Sequence, residues 1–226
     1  KDSKNNQSKS FRRIVFDELC ANFFTLSVNR KRIKKEKLPK IFSEKKSNYI
    51  EKILPFNLTK SQKNVLKEIN LDLSSKKRMF RIIQGDVGSG KTIVSLLAIS
   101  NIIESGYQCA LMAPTEILAS QHFTLAKKIF KDVNFKIDFL TGKTELINKK
   151  KILKDLETGK TNLLIGTHAL FQKKINFNKL GLTIIDEQHK FGVKQRSELA
   201  KKGGDNCDLL LMSATPIPRT MMMSLY

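Results

Sequence analysis

Residues 85–92 read Gly-Asp-Val-Gly-Ser-Gly-Lys-Thr, between an apolar run, Arg81-Ile82-Ile83-Gln84, and a stretch of helical periodicity over 91–105. A chain written this way must leave a strand, curl through a glycine-rich loop and enter a helix within eight residues. The glycines let successive backbone N–H groups turn inward, and the helix start adds its own free N–H groups and dipole. The concavity suits phosphate. Every fixed position of G-x-x-x-x-G-K-[ST] is filled, so Gly85, Asp86, Val87, Gly88, Ser89, Gly90, Lys91 and Thr92 form the expected nucleotide-binding set. Lys91 is placed to reach the β- and γ-phosphates, and Thr92 to put its hydroxyl on Mg²⁺.

A second constellation follows downstream. Leu182-Thr183-Ile184-Ile185 runs directly into Asp186-Glu187-Gln188-His189. An acid at the end of a buried strand can hold a metal ion or its waters, which suits Asp186. The adjacent Glu187 is placed to orient and deprotonate an attacking water. The expected catalytic set is Lys91, Asp186 and Glu187, with Thr92 and Asp186 as Mg²⁺ ligands. A strand-end acid pair facing solvent is the bland alternative, and the upstream loop weighs against it.

Short apolar runs alternate with helical stretches along the rest of the chain. Strands are expected at 81–84, 108–112, 135–139, 162–165, 182–185 and 209–212, and helices at 91–105, 116–130 and 145–158. Gly106 and Gly159 end two of these helices. This alternation implies an α/β fold with a central, mostly parallel sheet and helices on both faces. Thr59-Lys60-Ser61-Gln62 has the capping-box pattern at the start of a helix running to about Leu73.

Ahead of that core lies a polar start, then a helical pattern with Phe16, Leu19, Phe23 and Leu26 at three- and four-residue spacing. The basic run Arg30-Lys31-Arg32-Ile33-Lys34-Lys35 follows, and Pro39 and Pro55 bracket a short helical connector. The net charge of +21 points to a polyanionic partner, nucleic acid first and an anionic membrane surface second, although the cations are mostly lysine. Arginine is the better residue for bidentate readout of phosphate and guanine. The longest apolar runs fall far short of the ~18 residues of a membrane span, so no membrane role is expected. Cys20, Cys109 and Cys207 are widely spaced with no CxxC pair, which argues against metal binding and a disulfide framework and fits a reducing cytoplasm. The start at Lys1 and the stop at Tyr226 inside an apolar stretch read as a piece of a longer protein.

Several segments together resemble superfamily-two helicases, and within them the RecG family of ATP-dependent DNA helicases. They are Gly85–Thr92, Ala113-Pro114-Thr115-Glu116-Ile117-Leu118-Ala119, Gly166-Thr167-His168-Ala169-Leu170, Asp186-Glu187-Gln188-His189-Lys190-Phe191-Gly192-Val193 and Ala214-Thr215-Pro216-Ile217-Pro218-Arg219-Thr220. The motor of the transcription-repair coupling factor is similar, but typically has Tyr at the position of Ser89 and Asp-Glu-Glu-Gln in place of 186–189. Lys190 departs from the Arg usual in the RecG family and loses the planar fork.

The resemblance implies a RecA-like P-loop NTPase lobe using ATP and Mg²⁺, preceded by an amino-terminal helical segment. It divides the chain into 1–55, a basic lead-in from a DNA-binding wedge domain, and 56–226, the first motor lobe ahead of a second that supplies an arginine finger. It implies a monomeric motor on branched or forked duplex DNA. Gln62 becomes a candidate adenine reader, compatible with the capping box only if backbone N–H groups rather than the side-chain amide satisfy the helix start. Pro114, Thr115, Glu116, Gly142, Thr167 and His168 become candidate contacts along a DNA strand, although each alone also reads as a cap or turn. Gln188, His189, Ser213, Thr215 and Arg219 become candidate couplers between nucleotide state and DNA grip. Two readings from other classes are a P-loop kinase or transport ATPase, for which no signature is present, and a nucleotide-gated DNA clamp without hydrolysis, against which the intact Lys91, Thr92, Asp186 and Glu187 argue.

Overall fold

The computed structural model describes residues 9, 11–21, 36–172, 174–187 and 202–214. The chain divides into two units, Lys1–Lys35 with Ile217–Tyr226, and Glu36–Pro216. In the first, α1 spans 11–21 and carries an i,i+4 pair, Arg13 to Asp17 at 3.4 Å.

The second unit is built on six strands: β1 (Phe80–Gln84), β2 (Gln108–Met112), β3 (Ile137–Leu140), β4 (Leu163–Gly166), β5 (Leu180–Ile185) and β6 (Asp208–Ser213). They form one sheet in the order β1-β6-β5-β2-β4-β3, and every described pairing is parallel. β2, β4, β5 and β6 are buried along their whole length. That is why they read as unbroken apolar runs rather than alternating ones. The outer strands β1 and β3 are only partly buried.

Helices α2 (Lys45–Ile53), α3 (Lys60–Leu73), α4 (Lys91–Glu104), α5 (Glu116–Ile129) and α6 (Leu146–Glu157) clothe the sheet. α4 is apolar nearly all round because the sheet lies on one side of it and α2 and α3 on the other. Its residues and those of α5 share one core with Leu111, Ile165, Ile184 and Met212. Leu156 of α6 joins the opposite face with Met112, Leu164, Ile185 and Leu211.

The glycines expected to end α4 and α6 do so in one way. Gly106 (φ 79°) and Gly159 (φ 75°) take the left-handed conformation. Gly106 N donates to Ile103 O and Tyr107 N to Ile102 O, while Gly159 N donates to Leu156 O and Lys160 N to Asp155 O. Both pairs of bonds make the Schellman closure.

Two strand starts differ from the sequence reading by two residues, the other strand ends by at most one. β3 starts at Ile137, opposite Leu163, rather than at Phe135. Phe135 instead packs edge-on against Phe130, 5.3 Å between ring centroids, at the end of α5. β5 starts two residues early, at Leu180, because Gln108 pairs with it before a register shift.

At the start of β6, Asp208 is fully buried and accepts from two lysines. Lys37 Nζ and Lys40 Nζ each lie 2.6 Å from Oδ2, and Met79 N lies 2.6 Å from Oδ1. Burial pushes the Lys37 ammonium below its usual value, and the charge of Asp208 opposes that shift. The segment 36–55, grouped with the lead-in by sequence, is fastened here to the sheet. Asp208→Asn leaves two buried cations without a counter-charge, so chemical denaturation is expected to show a loss of about 3–5 kcal/mol of stability.

Candidate nucleotide site and nucleic-acid-facing edge

The glycine-rich loop grows directly out of the sheet. Gly85 N donates to Ser213 O at 3.3 Å, carrying the β1–β6 ladder one residue past β1. Ser89 N then closes a turn on Asp86 O at 3.1 Å. Gly90 caps α4 in the left-handed conformation (φ 85°), which strains any other residue, and a Cβ there would lie 2.3 Å from Gln62 Nε2 and push that amide aside. Among the described residues no side chain caps this helix start, which leaves its N–H groups for an anion. Lys91 Nζ folds back over the loop, donating to Gly85 O at 2.6 Å and Asp86 O at 2.7 Å. An ammonium, a glycine cradle and an uncapped helix start fit a polyphosphate.

Gln62 joins this loop to α3. Its backbone N donates to Thr59 Oγ1 (3.2 Å), its Oε1 accepts from Thr59 N (2.8 Å), and its Nε2 donates to Ser89 O (2.9 Å). The capping box is complete, and it uses the side-chain amide. One N–H and one lone pair of that amide remain beyond these bonds.

The acid pair lies two strands away, at the end of β5. Two strand spacings are about 10 Å. Asp186 continues the ladder, its N donating to Met112 O at 2.8 Å. Asp186 as a residue is 8% exposed in the folded chain. Oδ1 accepts from Glu187 N at 2.9 Å, and Oδ2 lies 2.7 Å from His122 Nε2 of α5. Glu187 itself sits at φ 49°, a conformation that costs a non-glycine residue about 1–3 kcal/mol and clusters at functional sites. Ser213, at the end of β6 between the loop and the acids, is fully buried and opposite Gln84.

The remaining strands end on the same edge. After β2, Thr115 caps α5, its Oγ1 accepting from Leu118 N at 3.3 Å. After β3, Thr141 N donates to Thr144 Oγ1 and Lys143 N to Thr141 Oγ1, shaping a turn that exposes Gly142. Lys143 pairs with Glu116 at 3.2 Å, tying the two loops together. After β4, Thr167 is buried and His168 exposed at the start of a 3-10 turn, His168–Phe171. Thr115 thus is a cap, as its bland reading had it, and it also stands in the row.

The sequence profile of the DEAD/DEAH box helicases matches residues 59–223. The chain belongs to that helicase family. Within it, the resemblance to RecG read from the motifs is borne out. The chain is 46% identical to the ATP-dependent DNA helicase RecG of Aquifex aeolicus, over 100% of this chain and 29% of that protein. It is 45% identical to that of Thermotoga maritima, over 96% and 28%. A solved structure of RecG bound to a three-way DNA junction superposes with a TM-score of 0.82 at 41% identity, over 95% of this chain and 29% of that one. The chain therefore spans under a third of the length of the relatives it matches. The α/β fold and parallel sheet are those of a helicase lobe. No helix among the described residues is long and apolar enough to cross a membrane.

For this helicase lobe, the structure brings Gly85–Thr92, Gln62, Asp186, Glu187 and Ser213 to one edge with Pro114, Thr115, Glu116, Gly142, Thr167 and His168. Gln188, His189, Lys190, Thr215 and Arg219 lie outside the described residues. The sequence reading missed His122. Its signal was a histidine at helical spacing inside the apolar stripe Ala119, Ala126 and Ile129.

Gln62→Ala is expected to lose about 1 kcal/mol of stability through the cap and to speed amide hydrogen exchange at Ser89 and Gly90. Gln62→Glu keeps the cap acceptor but not the donor to Ser89, so it is expected to retain more stability while still loosening the loop. Denaturant titration and site-resolved exchange separate the two effects.

Proposed function

We propose that this chain carries the ATP-binding first motor lobe, 56–226, and the basic lead-in, 1–55, of a RecG-type helicase. On this reading, ATP hydrolysis drives translocation on duplex DNA and the remodelling of branched DNA such as replication forks and recombination intermediates. The observation that carries it is the shared edge: the phosphate loop and acid pair stand beside the strand-end row of Thr115, Gly142 and Thr167. The solved RecG neighbour bound to a three-way DNA junction supports the substrate class.

Each residue has a distinct role. Lys91 exchanges its carbonyl acceptors for the β- and γ-phosphates, and the uncapped start of α4 receives the same oxygens. Thr92 and Asp186 would hold Mg²⁺, which when bound neutralises charge on the phosphates. Glu187 orients the attacking water and takes its proton. The Gln62 amide is taken up by the capping box and by Ser89, against the condition set for an adenine reader, so an adenine contact would have to use only its remaining N–H and lone pair. The N–H groups and hydroxyls of the strand-end row position a DNA backbone without reading its sequence. The motor is monomeric and cytoplasmic, and its arginine finger comes from a second lobe outside this chain.

Lys91→Ala and Glu187→Gln separate binding from chemistry. Lys91→Ala is expected to weaken nucleotide binding about 10–100-fold, the loss of charge-assisted hydrogen bonds. Glu187→Gln is expected to keep nucleotide affinity while DNA-stimulated turnover of the full-length protein, second lobe included, falls about 10²–10⁴-fold. Normal turnover in Glu187→Gln would remove Glu187 as the base. Turnover that branched DNA does not stimulate in the unsubstituted full-length protein, second lobe included, would remove the helicase reading.

A further inference from the structure

α5 faces the sheet through Ala119, His122, Ala126 and Ile129. This is the spacing of a core stripe, and the flanking alanines are fully buried. A histidine there is costly unless its ring N–H finds an acceptor. His122 is 8% exposed, and its Nε2 lies 2.7 Å from Asp186 Oδ2. A metal-holding carboxylate accepts, and in that state Nε2–H donates to it. The other oxygen, Oδ1, is held by Glu187 N at 2.9 Å. Asp186 has only two rotatable side-chain bonds, and a hydrogen bond on each oxygen fixes the plane of the carboxylate.

We propose that His122 is a positioning residue for Asp186, fixing the carboxylate orientation in which Asp186 holds the Mg²⁺ of a bound nucleotide. The inference rests on the reading of Asp186 as a metal-holding side chain. It gives α5 a double attachment. The helix starts at Glu116, in the row beside Thr115, and two turns later it grips the carboxylate of the acid pair. Seven residues of helix span about 10 Å. A displacement of α5 at the edge therefore reaches Asp186 directly, without passing through the glycine-rich loop.

The test is the affinity of the protein for a fluorescent ATP analogue, measured across a Mg²⁺ titration and again in EDTA. His122→Leu fills the space without a donor. It is expected to weaken Mg²⁺-dependent affinity about 10-fold or more, the usual effect of removing an outer hydrogen bond to a metal ligand, and to leave affinity in EDTA unchanged. His122→Gln, with an N–H at a similar reach, is expected to restore most of the loss. If His122→Leu does not fold, His122→Asn replaces it: the shorter amide misses Oδ2 and is expected to show the same Mg²⁺ defect against His122→Gln. Equal losses with and without Mg²⁺, no loss at all, or no rescue by Gln would each overturn the proposal. Asp186→Asn keeps the two readings apart. If it abolishes the Mg²⁺ dependence and the His122 variants do not alter it, only the role of His122 fails. If Asp186→Asn leaves the Mg²⁺ dependence intact, the metal reading itself fails.

Discussion

The all-parallel ladder is the constraint from which the site follows. Because β1, β6 and β5 run side by side in the same direction, with Gln84 opposite Ser213 and Ile185 opposite Leu211, their carboxyl ends must emerge together. The phosphate loop, Ser213 and the acid pair are neighbours for that reason alone. β2, β3 and β4 extend the same edge and bring Thr115, Gly142 and Thr167 into line with it. A ligand crevice at the carboxyl ends of strands is general to open α/β sheets. Here the edge runs from the phosphate loop and acid pair at one end to Gly142 and Thr167 at the other.

α3 shows how firmly that edge is braced. At its start, the Gln62 amide ties the helix to Ser89 of the phosphate loop. At its other end, Lys37 Nζ donates to Asp72 O and Leu73 O while also reaching Asp208. Arg81 of β1 adds a bond to Asp72 and one to Glu68, and its guanidinium is raised above its usual value chiefly by the hydrogen bond to Asp72. The segment entering at Glu36 is thus fastened at the amino-terminal edge of the sheet, to the far end of a helix whose start is tied to the phosphate loop.

Much of this was legible from sequence, for local reasons. Apolar runs bounded by glycine fixed the strands, because a buried parallel strand needs both faces apolar, and Gly106 and Gly159 marked helix ends because only a left-handed residue closes them. The phosphate loop and acid pair were legible because their chemistry needs fixed residue types at fixed spacing. His122 was only half so: its place in the apolar stripe of α5 marks it as buried, but its partner is 64 residues away and the stripe does not identify it. Asp208 was silent: an acid at the start of an apolar strand looks like a surface residue until Lys37 and Lys40, 171 and 168 residues earlier, are found against it. The dual use of Gln62 was half legible. The capping box could be read from four residues, but the bond to Ser89 depends on Gly90 lacking a side chain at the point of closest approach.

The central claim is that the carboxyl edge of the sheet, and not its opposite edge, meets DNA. Cross-linking tests it most directly. A benzophenone is attached to the protein through Gly142→Cys on the carboxyl edge or through Lys76→Cys on the opposite edge, each with the exposed Cys20 replaced by serine. The two remaining thiols are buried, and burial pushes Cys207 up to about 11 and Cys109 well above its usual value, so both stay unlabelled. On irradiation with a three-way DNA junction, the probe at 142 is expected to cross-link strongly and the probe at 76 only at background. Equal cross-linking from both positions, or a stronger signal from 76, would contradict the account.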